Sequence, residues 1–269
     1  MPTTRTAFED LPATVRAAIE ERTGPVIEVE TTSAGFNSQF SARVTGRAAV
    51  VHLKGLRSDH PRAWTQRREA EVNAHVYAVA PALLWRLEVG GWDLLAFEAL
   101  HGHHAAYTPG SPDLPKVAAT LQDLGAVPCP DIELRHAEQR LHAYVAHPSH
   151  AELFAGPALL HTDLNNENVI VVDKRALLVD WAWATRGAPW LDAAYWVIWL
   201  MAAGGHTPES AEAWAARVPS WHTASRTGID AFAAANANMW EEIAGDEPDE
   251  WTTRLLHAAR GWSAYRTAR

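Results

Sequence analysis

The feature that most constrains the fold is the order in which two kinds of pattern appear along the chain. Up to Glu98 the sequence is built mainly of short alternating apolar runs; beyond Pro112 it is built mainly of long segments with helical spacing. Alternation predicts strands over Val26–Glu30, Phe40–Val44, Ala48–Lys54, Leu83–Val89 and Trp92–Glu98. Gly90-Gly91 is a two-residue hairpin signal between the last two, and Ser33 to Asn37 form a turn between the first two. A helix over Leu11–Arg22 stops at Gly24-Pro25, and a second, opened by Pro61, runs to about Val79. The expectation is a five-stranded antiparallel sheet with one helix inserted after its third strand.

Beyond the sheet, helices are predicted at Leu114–Leu124 and Ile132–His147, and helix throughout from Pro189 to about Thr267. A short pair of apolar strands, Val169–Val172 and Ala176–Val179, interrupts them. Strands gathered first and helices second mean α+β, or two lobes. The stretch rich in His, Gly and Pro before Pro112 is the joint, which divides the chain into 1–98, a linker over 99–112, and 113–269.

Charge and composition narrow the function. The formal net charge is -9 with no dense Lys/Arg cluster, which argues against a nucleic-acid partner and favours a cationic small substrate. Cys129 is the single cysteine, so no internal disulfide can form and no oxidising compartment is required. The apolar run Ala193–Ala203 is too short to cross a bilayer and reads as a helix buried in protein. The start lacks a signal-peptide core, so the expected location is cytoplasmic with no membrane partner. Thirteen tryptophans are expected chiefly to fill a bulky core.

One stretch carries chemistry: Leu159-Leu-His-Thr-Asp-Leu-Asn-Asn-Glu-Asn168, followed by Val-Ile-Val-Val-Asp-Lys-Arg-Ala-Leu-Leu-Val-Asp180. A hairpin centred on Lys174 would bring Asn168 and Asp180 opposite one another at its open end. An amide oxygen and a carboxylate so placed suit Mg²⁺, a hard cation that shares its ligands with substrate phosphates. Asp163 lies just upstream, in reach of the same point. One carboxylate to hold the phosphates' metal and another to orient an attacking hydroxyl is what phosphoryl transfer needs. Singly, each of these residues is an ordinary turn or strand-end residue; jointly they are a site.

This segment resembles the His-x-Asp-x-x-x-x-Asn catalytic loop and metal-binding Asp of the aminoglycoside phosphotransferase family, within the protein-kinase-like fold. The matching residues are His161, Asp163, Asn168 and Asp180, and Arg186-Gly-Ala-Pro-Trp-Leu-Asp192 is similar to the family's next stretch. The resemblance implies a two-lobe kinase fold with a mostly helical C-terminal lobe. Asp163 would be the base toward the acceptor hydroxyl, Asn168 and Asp180 would hold Mg²⁺, and His161 and Asp192 would brace the loop. Trp181-Ala182 stands where protein kinases have Phe-Gly, as in the small-molecule branch.

By the same resemblance Lys54, at the end of its strand, would contact the nucleotide's phosphates. Its partner would be Glu69, which matches the family's pattern; Glu71 points about 200° away on a helix and would be solvated. The phosphate-covering loop, Ser33 to Ser38, has a single glycine where protein kinases carry three. The Phe97 carbonyl and Ala99 N–H would read the base of ATP or GTP. The implied activity is phosphorylation of a small hydroxylated molecule such as an antibiotic. A silent ligand-binding relative and a zinc hydrolase built on His101-Gly-His-His104 are the rivals. Four intact site residues argue against the first and the lack of a nearby cysteine against the second. The acidic run from Glu241 to Glu250 is read as solvated surface, with the C-terminal helices shaping the acceptor site.

Overall fold

A computed structural model describes residues 5–32 and 38–269 of the chain. The chain forms two compact units, Met1–Gly102 with Val179–Ala182, and His103–Leu178 with Trp183–Arg269.

In the first unit, α1 (Ala13–Thr23) precedes β1 (Val26–Thr31), β2 (Phe40–Gly46) and β3 (Val50–Arg57); α2 (Ala63–Val76), β4 (Leu83–Val89) and β5 (Trp92–Glu98) follow. The strands form one antiparallel sheet in the order β1-β2-β3-β5-β4, with α2 between the third and fourth as expected. Alternation puts Ala42, Val44, Val51, Leu53, Leu94 and Ala96 on one face, packed with Val15 and Ile19 of α1. Gly90 and Gly91 have φ of 56° and 77°, the paired positive values that a tight hairpin turn requires. The third strand is shifted from its expected bounds. Gly46 N–H donates to the Ala49 carbonyl in a turn, which delays the start. Gly55, Leu56 and Arg57 keep pairing with Leu94, Asp93 and Trp92, so Lys54 lies inside β3 and not at its end.

The second unit begins with a two-residue strand, β6 (His103–His104), in the stretch expected to be a linker; it pairs with Val171 and Ile170. Then come α3 (Leu114–Gly125), β7 (Arg135–His136), α4 (Ala137–Leu141), α5 (Pro148–Ala151), β8 (Ala158–Leu160), β9 (Val169–Val172), β10 (Arg175–Leu178) and β11 (Thr185–Gly187). The single helix expected over Ile132–His147 does not form. Leu134, Ala137 and Leu141 have helical spacing, but Arg135 and His136 pair in parallel with Thr185 and Arg186, and tertiary pairing overrides local pattern. The expected continuous helix after Pro189 is four helices, α6 (Leu191–Gly204), α7 (Pro208–Ala215), α8 (Arg226–Ala244) and α9 (Glu250–Thr267). Gly205, at φ 71°, caps the first of them.

Every residue of α6 from Leu191 to Leu200 is buried, as expected for the apolar run, but at its end Met201 and Ala202 are half-buried and Ala203 is exposed. Phe232 of α8 stacks edge-on against Tyr195, Trp190, Phe154 and Trp262 at 4.8–6.1 Å between ring centroids. Trp181, Trp196 and Trp262 are among the largest fully buried side chains, in line with a tryptophan-filled core. Among the described residues no helix is long and apolar enough to cross a membrane.

Candidate active site

In the first unit the site is built around Lys54. Val51 and Leu53 point into the α1 core, so the pleat turns His52 and Lys54 to the other face. On α2 a stripe at helical spacing is buried, Gln66, Glu69, Asn73 and Val76 among it, whereas Glu71 is exposed. The polar members of the stripe have partners: Gln66 donates to the Asp93 carbonyl, and Asn73 donates to Pro81 and accepts from the Leu83 N–H. Glu69 takes Lys54. The ammonium donates to both of its oxygens at 2.9 and 2.7 Å, and Asp180 Oδ1 lies 3.3 Å from the same nitrogen.

The Lys54, Glu69 and Asp180 side chains are only 12%, 4% and 12% exposed, so one cation sits between two carboxylates nearly out of water. Burial works against the ammonium, but Asp180 and Glu69 outweigh it and hold Lys54 above its ordinary pKa. Burial pushes Glu69 up, opposed by Lys54. Asp180 has φ 64°, unusual for a residue with a side chain. The triad carries one negative charge in excess, which suits a further cation.

In the second unit the expected loop residues come together. Asn168 Nδ2 donates to Asp163 Oδ2 at 2.9 Å and to its carbonyl at 3.2 Å. Asn165 Oδ1 accepts from the Glu167 N–H and opens the short 3₁₀ turn Asn166–Asn168 that carries the amide. The Asp163 N–H faces His161 Nδ1 at 3.3 Å, and His161 is fully buried. Asp192, in the first turn of α6, accepts from the N–H groups of His161 and Thr162, both at 2.8 Å. Its burial pushes the carboxyl up to about 6, opposed by those two donors and by Arg140.

The hairpin differs from expectation by one residue. Val172 pairs with Arg175 and Val169 with Leu178, where a turn centred on Lys174 requires Val169 to face Val179. A two-residue turn at Asp173-Lys174, with Asp173 at φ 51°, sets this register. The ladder ends before either Asn168 or Asp180 and is not in the register that would make them partners.

Phe97 is buried on β5, paired with His52 and Leu83, and Ala99 follows the strand's end. The expected phosphate loop lies outside the described residues at Ser33–Asn37. Ser38 is described, and its carbonyl accepts from Arg5 at 2.6 Å. His103 Nε2 lies 3.0 Å from Asp113, beside Lys116 and the Ala106 N–H, in a structural cluster.

No protein-family model matches the sequence, and no curated protein matches it. Solved structures do. The choline kinase LicA from Streptococcus pneumoniae superimposes with a TM-score of 0.65 at 15% identity, over 93% of this chain and 99% of that one. Aminoglycoside phosphotransferase APH(4)-Ia gives 0.61 at 15%, over 92% and 98%. A choline/ethanolamine kinase family protein from Mesorhizobium loti gives 0.59 at 17%, over 94% and 91%. The fold is that of the small-molecule kinases.

Within this kinase-like fold several groups at the site escaped sequence reasoning. Tyr107 donates its hydroxyl to the Leu164 carbonyl at 3.0 Å, one residue beyond Asp163. Thr162 has φ 66°, a left-handed conformation that costs a side-chain-bearing residue about 1–2 kcal/mol. Arg140 donates to its hydroxyl at 2.7 Å and to that of Thr185 at 2.6 Å. These partners are 22 to 57 residues apart, and nothing in the local pattern marks them.

Proposed function

We propose that the protein is a small-molecule kinase, transferring the terminal phosphoryl group of ATP or GTP to a hydroxyl of a small acceptor. The observation that carries this is Lys54, buried between Glu69 and Asp180, in a chain that also pairs Asp163 with Asn168. A lysine so held is a fixed point charge for the nucleotide's phosphates, with Glu69 as its anchor. Asp163, fixed through its bond from Asn168, orients the acceptor hydroxyl and takes its proton. The Phe97 carbonyl and Ala99 N–H are assigned to the base.

Asn168 and Asp180 suit Mg²⁺ because both offer hard oxygen donors: the Asn168 NH₂ is spent on Asp163, which leaves its amide oxygen for a cation. Two protein donors are fewer than Mg²⁺ takes, so such an ion would complete its shell from phosphates and water. Bound there, Mg²⁺ would neutralise phosphate charge.

The neighbours support a nucleotide and a small acceptor. LicA has been solved with AMP, and a thermostable mutant of APH(4)-Ia with ADP and hygromycin B. An acidic chain of net charge -9 favours a cationic acceptor, and an aminoglycoside-type antibiotic is the first to try. Such an enzyme works in the cytoplasm, where nucleoside triphosphates are. A coupled assay of nucleotide diphosphate release, with Mg²⁺ and a panel of aminoglycosides, choline-like alcohols, sugars, macrolides and nucleosides, tests the reading. Failure to bind Mg-ATP or Mg-GTP refutes it; nucleotide binding without turnover on any acceptor favours the silent ligand-binding relative.

A further inference from the structure

The loop around Asp163 has an anchor that the kinase reading does not need. Thr162, immediately before Asp163, is a β-branched residue in a left-handed conformation, which persists only where its surroundings impose it. Asp192 fixes its N–H. Its hydroxyl donates to the Trp183 carbonyl at 3.1 Å and accepts from Arg140 Nη1 at 2.7 Å. The same Nη1 donates to Thr185 Oγ1 at 2.6 Å, and that hydroxyl also donates to the Trp183 carbonyl, at 2.8 Å. The Arg140 guanidinium lies 5.7 Å from the centre of the Trp183 ring, on which Arg135 also stacks at 4.7 Å. One side chain of α4 therefore ties the Asp163 loop to Trp183 and to β11. A lysine's ammonium has donors enough for both hydroxyls, but it ends one bond short of Nη1 and lacks a planar cation for the indole, so it would not hold all three contacts.

The geometry points to Arg140 as a positioning residue for Asp163, acting through the Thr162 hydroxyl and touching neither nucleotide nor acceptor. This rests on the kinase reading for its consequence but not for its structural content. Two measurements separate them. In nucleotide-free protein, Arg140→Lys should speed amide hydrogen exchange across 160–168 and leave α8 and α9 at parental rates. In Mg-ATP hydrolysis with water as acceptor, Arg140→Lys should lower kcat about tenfold to a hundredfold, with KM for ATP within about twofold. The same change placed in Asp163→Asn should cost almost nothing further, because the group being positioned is already disabled. Added guanidinium should recover part of the rate of Arg140→Ala.

Parental exchange across 160–168 in Arg140→Lys overturns the inference, as does exchange raised throughout the unit. So does an equal proportional loss of rate in the parental and Asp163→Asn backgrounds. Failure of the parent protein to bind Mg-ATP would instead refute the kinase reading, and the exchange measurement would still decide the role of Arg140.

Discussion

Replacing Lys54 with methionine removes a cation that two buried carboxylates share. Glu69 and Asp180 are 4% and 12% exposed, so water can compensate little of the charge left behind. Breaking a buried pair by removing one partner costs about 3–5 kcal/mol, which for a chain of this size is a fall in Tm of about 6–20 °C. The variant has one escape, which is to take up a proton. Burial already raises Glu69, with Lys54 as the opposing influence; without the lysine its folded-state pKa climbs further. A carboxyl with a folded pKa above its unfolded value binds more protons when folded, so the variant regains stability as pH falls toward the unfolded value near 4.3. Thermal unfolding of the nucleotide-free Lys54→Met protein at pH 8, 7, 6 and 5 should therefore show a deficit that is largest at pH 8 and shrinks steadily. Lys54→Met/Glu69→Gln, which removes the stranded charge, should be more stable than Lys54→Met at pH 8. A Lys54→Met protein as stable as the parent at pH 8, with no pH dependence of the difference, would refute the reasoning.

Asp163→Asn should keep nucleotide affinity within about threefold, measured by calorimetry, and lose at least about a hundredfold in turnover. Asp180→Ala should lose most of the thermal stabilisation that Mg-ATP gives the parent; equal stabilisation of both would count against Asp180 as a metal ligand. His52 is held down to about 4 by burial and by Lys54, Arg5 and Arg43, so the unfolded chain protonates it first. That makes stability present above pH 6.5 drain away as pH falls toward 4, by roughly 3 kcal/mol from a shift of this size. His52→Gln should flatten the urea-unfolding curve against pH in that window, and an unchanged slope would contradict the assignment.

How much the sequence revealed depends on how local each cause is. Helical geometry allows only one of Glu69 and Glu71 to join the buried stripe, and it was the family resemblance that picked out Glu69; the sheet was legible because alternation and Gly90-Gly91 are local signals. The extent of β3 was not: Lys54 reads as a strand end, and only pairing of Gly55 to Arg57 with β5 carries the strand past it. The hairpin after Asn168 was misregistered by one residue, since a turn's length is decided by backbone torsions at Asp173 and not by symmetry about Lys174. Residues 132–147 read as a helix because Leu134, Ala137 and Leu141 mimic its period, while the competing partner, Thr185-Arg186, lies far along the chain. Arg140 and Tyr107 were invisible for the same reason. Their significance is entirely in whom they meet.

The helix that begins with Leu191 and Asp192 has a consequence for how such a protein can change over time. From Leu191 to Leu200 no position faces solvent, and its first turn grips the backbone just ahead of Asp163. Substitutions along it are felt in packing, and through Asp192 in the backbone of the Asp163 loop, so drift there is penalised twice. α8 and α9 are different, because each keeps exposed positions along its length. Replacements on those outward positions disturb no core and no anchor of the Asp163 loop. Under the kinase reading proposed above, selection for a new acceptor would be free to remodel such outward positions while α6 stays put, as a fixed axle of the unit.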